Sequence, residues 1–213
     1  MRYLIEKELN LNIPKFYFIM PILAAALMMI PMWIYVIVFM YFFWISIPAI
    51  YAAYNQQNDL SFTTMLPVRK KDIVISKITA LVTLELLHII LGFIMAIVHN
   101  QVYGTFNIFL ELNIAFFGMI FILFSIFNII FLPGYFKTAY QYGKPLLISS
   151  IAITLYGASI ELLNVFVPKF HEITHSPNYL FFQWGILIVG IISYVLSILF
   201  STKLSIKRFE ERL

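Results

Sequence analysis

The residues His171-Glu172-Ile173-Thr174-His175 form an H-E-x-x-H pattern. On a helix, two histidines at this spacing share a face and can bind zinc, and the glutamate between them can activate a water for peptide hydrolysis. The surroundings argue against that chemistry. The motif lies in a polar stretch of eleven residues, 168–178, bounded by prolines. A zinc peptidase needs a longer helix, a third ligand and a cleft. The next acids downstream, Glu210 and Glu211, lie beyond another apolar run. The expectation is a surface loop that carries two histidines and no metal.

Glu85 and His88 are the second candidate pair. They lie three residues apart inside an apolar run, so a helix puts them on one face. A carboxylate at membrane depth is costly and usually faces protein or water. The pair is expected to bond each other or a neighbouring helix, or to line a substrate path; a proton relay is a further use. Glu161 with Asn164 stands near the end of a later run, and Glu111 at an interface. No G-x-x-x-x-G-K-[ST] phosphate loop occurs in the chain. ATP-driven work would therefore need a separate ATPase polypeptide.

The elements that position these residues follow from composition. Of 213 residues, 62% are hydrophobic and 11% charged, whereas a soluble domain carries roughly a quarter charged residues. The apolar runs approach or exceed the ~20 residues that cross a hydrocarbon core. They do not alternate as barrel strands do. The fold class is therefore an all-α integral membrane protein. There is no cysteine, hence no disulfide. The net charge of +4 is spread over the loops and does not point to nucleic acid. The N-terminal stretch does not read as a cleavable signal peptide. Aromatic residues, 18% of the chain, suit lipid contact above all, with an apolar pathway as a second use. Trp33, Trp44 and Trp184 read as interface anchors.

Taken in order, residues 1–15 place Leu4, Ile5 and Leu9 on one side of a helix, the pattern of an interfacial helix lying on a membrane. The block 16–53 is too long for one span and just enough for two, with the turn at Pro31. The expected spans are 16–31, 33–53, 77–98, 109–132, 145–167 and 179–201. Pro133-Gly134 closes the fourth, and residues 203–213 form a tail. Six spans put both termini on one side, together with thirteen of the fourteen Lys and Arg residues; only Lys169 falls on the other. That asymmetry marks the crowded side as cytoplasmic. No loop is long enough for a soluble domain, so residues 1–213 read as one transmembrane domain.

The longest polar interruption is the loop 54–76. Asp59 or Ser61 can cap a short helix running to Leu66, with Leu60, Met65 and Leu66 on its apolar side. Pro67 stops it. A basic run, Arg69-Lys70-Lys71, follows, and Asp72 can cap the next helix. The plain reading is a loop whose charge only fixes topology. The run Asp59 … Leu66-Pro67-Val68-Arg69-Lys70-Lys71-Asp72-Ile73-Val74 … Lys77, however, resembles the signature of type-2 permeases of ATP-binding-cassette (ABC) exporters. Arg69 departs from it, standing where that family often has Ser. The tight resemblance covers about twenty residues; span number and loop lengths extend it over the chain.

The resemblance implies a coupling helix between spans two and three that fits a groove on an ABC ATPase. Asp59, Leu60, Phe62, Met65, Leu66, Pro67, Arg69, Lys70 and Lys71 would form that contact. It further implies a second permease subunit, identical or homologous, and a bacterial cytoplasmic membrane. ATP and Mg would be bound by the ATPase, with no cofactor on this chain. Small permeases of this kind export hydrophobic or amphipathic cargo, such as antimicrobial or cytolytic peptides. The residues alone leave open an ATPase-independent secondary transporter or membrane immunity protein, and more remotely the zinc peptidase.

Overall fold

The computed structural model describes residues 2–138 and 140–212. Met1 and Leu213, at the outer limits of the expected interfacial helix and tail, lie outside the described residues. So do the side chains of Leu60 and Ser61. The chain is about 85% helical, and no strand occurs among the described residues. Among the described residues, nine helices of six residues or more carry the fold. They are α1 (Arg2–Asn12), α2 (Phe16–Met29), α3 (Val36–Gln56), α4 (Asp59–Met65), α5 (Lys70–Tyr103), α6 (Ile114–Lys137), α7 (Gly143–Phe166), α8 (Pro168–His175) and α9 (Leu180–Arg212).

Five of these, α3, α5, α6, α7 and α9, are long and apolar enough to cross a membrane. A sixth crossing depends on α1 and α2, which meet at a 70° bend. The expected first span, 16–31, is a helix only over Phe16–Met29. At about 1.5 Å per residue, 14 residues reach roughly 21 Å, short of a ~30 Å hydrocarbon core. The turn containing Pro31 runs from residue 30 to 35, with Met32 at φ 55°.

Other boundaries shift for identifiable reasons. Pro133-Gly134 does not close the fourth span, which runs from 114 to 137 rather than from 109 to 132. An internal proline forfeits one backbone bond, and here Gly134, bare of a side chain, lets the Pro145 ring of α7 pack against the helix. Asn113 caps the start of α6 by accepting from the Phe116 N–H. The third span begins at Lys70, not 77. Asp72 does not cap it; its carboxylate lies in the first turn and accepts from Arg69 at 3.0 Å. The stretch 168–178 is not a plain loop: Pro168 opens the short helix α8. The expected tail 203–213 is the continuing end of α9. Ser201, Ser205 and Phe209, four residues apart, are buried there, and Phe209 stacks on Tyr140 at 5.7 Å.

The core lies along α6. Phe116, Phe124, Phe127, Phe131 and Tyr135 are buried, and Phe43 of α3 meets Phe127 at 4.1 Å. The aromatics of these spans, expected mostly at lipid, are thus largely core. α6 and α9 form the most extensive helix pair because both carry glycine at the crossing: a side chain on Gly190 would overlap the Gly118 carbonyl.

Candidate functional site

The short helix α4 starts from Asn58 in the left-handed region (φ 50°), a conformation that asparagine tolerates. Asp59 does not cap it; no side-chain cap bond forms. The Asp59 carboxylate turns inward instead. It accepts from Lys7 Nζ at 2.7 Å, Asn12 Nδ2 at 2.9 Å and Thr63 Oγ1 at 3.2 Å, and it pairs with Lys77. Lys77, with a side chain only 1% exposed, also reaches Glu8 at 3.2 Å and sits 3.7 Å above the Tyr54 ring. Glu8 accepts from Asn12 at 2.9 Å.

Two ammonium groups and two carboxylates therefore balance in one buried cluster. It joins α1 (Lys7, Glu8, Asn12), α4 (Asp59, Thr63) and α5 (Lys77). Such a cluster adds little net stability against an apolar replacement, but removing one member leaves a buried charge unpaired. Burial raises the Asp59 carboxyl, and the Lys77 and Lys7 ammonium groups more than offset this, holding it below its ordinary value. The last turn of α1, Glu8–Asn12, is widened into a π-turn, and it is this turn that carries Glu8 and Asn12.

The opposite face of α4 is open. Phe62 is 56% and Met65 82% exposed, and Pro67, Arg69 and Lys71 are exposed beside them; Leu66 and Lys70 are half-buried. Of the residues expected to form the ATPase contact, only Asp59 belongs to the ion cluster. Lys7, Glu8, Asn12 and Thr63 were missed as site residues, and Lys77 was quoted in the signature without a role of its own. Lys77 had a signal: it is a lone cation inside an apolar run, a position that demands a partner.

Glu85 and His88 are both buried but do not pair. Glu85 Oε2 accepts from Tyr194 Oη at 2.7 Å and Asn128 Nδ2 at 3.0 Å, which ties α5 to α9 and α6. His88 Nε2 lies 3.3 Å from the Val38 carbonyl of α3. Glu161 Oε2 accepts from the Leu110 N–H, and Asn164 Oδ1 from Thr174 Oγ1.

The H-E-x-x-H motif is helical after all. The rings of His171 and His175 stack at 3.8 Å, and His175 Nε2 is 4.0 Å from Glu111. No group of three His, Cys, Asp or Glu able to hold a metal occurs among the described residues.

Five helices of membrane-crossing length mark a multi-pass membrane protein, and a buried ion cluster lies behind a short helix with an open apolar and basic face. The sequence profile described as "ABC-2 family transporter protein" matches residues 3–205. The chain belongs to that family of ABC-transporter membrane permeases, which carry no ATP site of their own and work with an ATPase. No curated protein and no solved structure shows significant similarity to it.

Proposed function

We propose that this chain is the permease subunit of a bacterial ABC exporter and that α4 is its coupling helix. In this reading the chain crosses the cytoplasmic membrane six times, α1 lies along the inner surface, and both termini are cytoplasmic. A second permease subunit completes the path. The cargo is hydrophobic or amphipathic, with antimicrobial or cytolytic peptides as the leading class. ATP and Mg act on the partner ATPase.

One observation carries the reading: α4 is clamped from behind and free in front. Asp59 fastens it to Lys7 and Lys77. Phe62 and Met65, with the basic run beside them, face outward. A push from the ATPase on the free face would displace α4, and the buried ion pairs would pass that displacement to α1 and α5. The aromatic and methionine side chains supply apolar anchors for a groove, and Arg69, Lys70 and Lys71 supply charge complementarity.

The test is co-purification of the tagged chain from its native membrane in mild detergent. A stoichiometric ATPase is expected with the unaltered protein. It is expected to be lost when Arg69, Lys70 and Lys71 are all changed to Glu, while membrane insertion is retained. An ATPase that stays bound to the triple variant would overturn the assignment of this face.

A further inference from the structure

Away from the ion cluster, a groove of about 460 Å³ runs between α2, α3 and the middle of α5. This lies within the ~300–1,000 Å³ range of small-molecule sites. Leu23 and Leu27 of α2 and Phe42 and Ile45 of α3 form much of its wall; Tyr41, Ser46 and His88 bring side-chain polar groups. Leu23 and Ile45 are half exposed, so the groove opens sideways, between helices, toward where hydrocarbon would lie.

The polar groups carry the argument. His88 is 97% buried by its 3% exposure, and Nδ1 has no hydrogen-bond partner. The Val38 carbonyl can only accept, so the Nε2 that faces it carries the ring proton. Nδ1 of the neutral ring is then an acceptor, and a buried acceptor without a donor is costly. The Phe39 and Phe42 rings flank the imidazole, both with centroids 5.4 Å away, and neither offers a donor. Ser46 is also buried.

Backbone geometry adds a separate observation. Phe42–Ser46 form a π-turn within α3, placed just where Pro48 deprives the Trp44 carbonyl of its N–H. Such turns recur at functional sites because they re-aim side chains. Here the widened turn supplies Phe42, Ile45 and Ser46 to the groove.

We propose that this groove binds a neutral, hydroxyl-bearing amphiphile drawn from the bilayer, whose O–H donates to His88 Nδ1. A hydroxyl suits these groups, since it donates to the imidazole and can accept from the Ser46 or Tyr41 hydroxyl. An ionised carboxylate has no donor for Nδ1. An ammonium group would lose its hydration to a wall without a carboxylate. The apolar sides hold the chain of the molecule.

The experiment uses the full chain in lipid nanodiscs without nucleotide, so its failure leaves the permease assignment untouched. The probes are a long-chain alcohol bearing a diazirine and its methyl ether, which keeps the shape and lacks the donor. Photolabelling is mapped by mass spectrometry. The alcohol is expected to label the α2 and α3 walls about tenfold more than the ether, the worth of one buried hydrogen bond. His88→Phe is expected to abolish that preference. His88→Gln, whose amide oxygen accepts, is expected to keep much of it. Equal labelling by alcohol and ether, or a preference that survives His88→Phe, would overturn the proposal. Should the variants fail to fold, competition of unlabelled alcohol against unlabelled ether for the alcohol probe on the unaltered protein decides it: equal competition sinks the site.

Discussion

Acidic groups at the two ends of the helices meet opposite surroundings. At the Lys77 end, Asp59 is enclosed by two ammonium groups, which outweigh its burial and keep it ionised. At the other end, Glu111 is pushed up to about 7 by burial. Its nearest basic group among the described residues is His175, 4.0 Å away, which is itself lowered by burial and by His171. The contrast follows from the primary structure. Lys and Arg crowd the segments at the Lys77 end, while the segments around Glu111 and α8 contain only Lys169. The same bias that orients a membrane protein decides whether its buried carboxyl is a charge or an acid.

The comparison can be broken most directly at Lys77. Lys77→Met leaves Glu8 and Asp59 to share Lys7, and is expected to lower stability by about 3–5 kcal/mol, read from thermal unfolding of the purified protein in detergent. Adding Glu8→Gln restores charge balance and is expected to recover more than half of the loss. No recovery would mean that Lys77 acts by packing alone.

A pH series sharpens the contrast, because the two carboxyls carry opposite signs. Asp59 is depressed from 3.8, so its pairing stabilises the fold fully above that value and is lost as pH falls through the lower folded value. Glu111 is raised from 4.5 to about 7. Its burial is free of charge cost below 4.5, and stability is lost as pH rises through 7. Asp59→Asn should reduce the slope of only the acid limb of the stability profile, and Glu111→Gln the slope of only the limb between pH 4.5 and 7. A single variant that flattens both limbs would dissolve the distinction.

The smallest effect belongs to the exposed pair. Arg69 bonds Asp72 at 3.0 Å but is 76% exposed in its side chain. Arg69→Ala is therefore expected to change the unfolding temperature hardly at all, within the ~0–1 kcal/mol of surface ion pairs. A drop as large as that of Lys77→Met would show that the basic run is structural rather than available for docking.

Local chemistry made much of this readable. The polar run after Tyr54, Pro67 and the basic triplet placed a short helix at 59–66, and it stands at Asp59–Met65. The long apolar runs foretold the spanning helices, but proline and polar residues misled at their ends. Pro133 stays inside α6, where the neighbouring Gly134 lets Pro145 of α7 approach, and Ser201 and Ser205 continue α9 because they are buried in the bundle. The ion cluster was hidden for a different reason. Glu8 and Lys77 are 69 residues apart, and no local pattern tells which distant charge will complete a buried pair. The π-turns at Glu8–Asn12 and Phe42–Ser46 were equally silent in the sequence.

The length of α5 has a mechanical consequence. Its 34 residues form a rod of about 51 Å, well beyond a ~30 Å hydrocarbon core. One end is gripped at Lys77; at the other, His99 Nδ1 lies 2.7 Å from the Met28 carbonyl and Asn100 donates to the Leu112 carbonyl at 2.8 Å. For a rigid rod of this length, a tilt of about 10° around its middle would swing each tip by roughly 4 Å. A modest nudge at one tip would thus arrive at the other as a stroke of similar size and opposite direction, with no helix having to stretch or unwind.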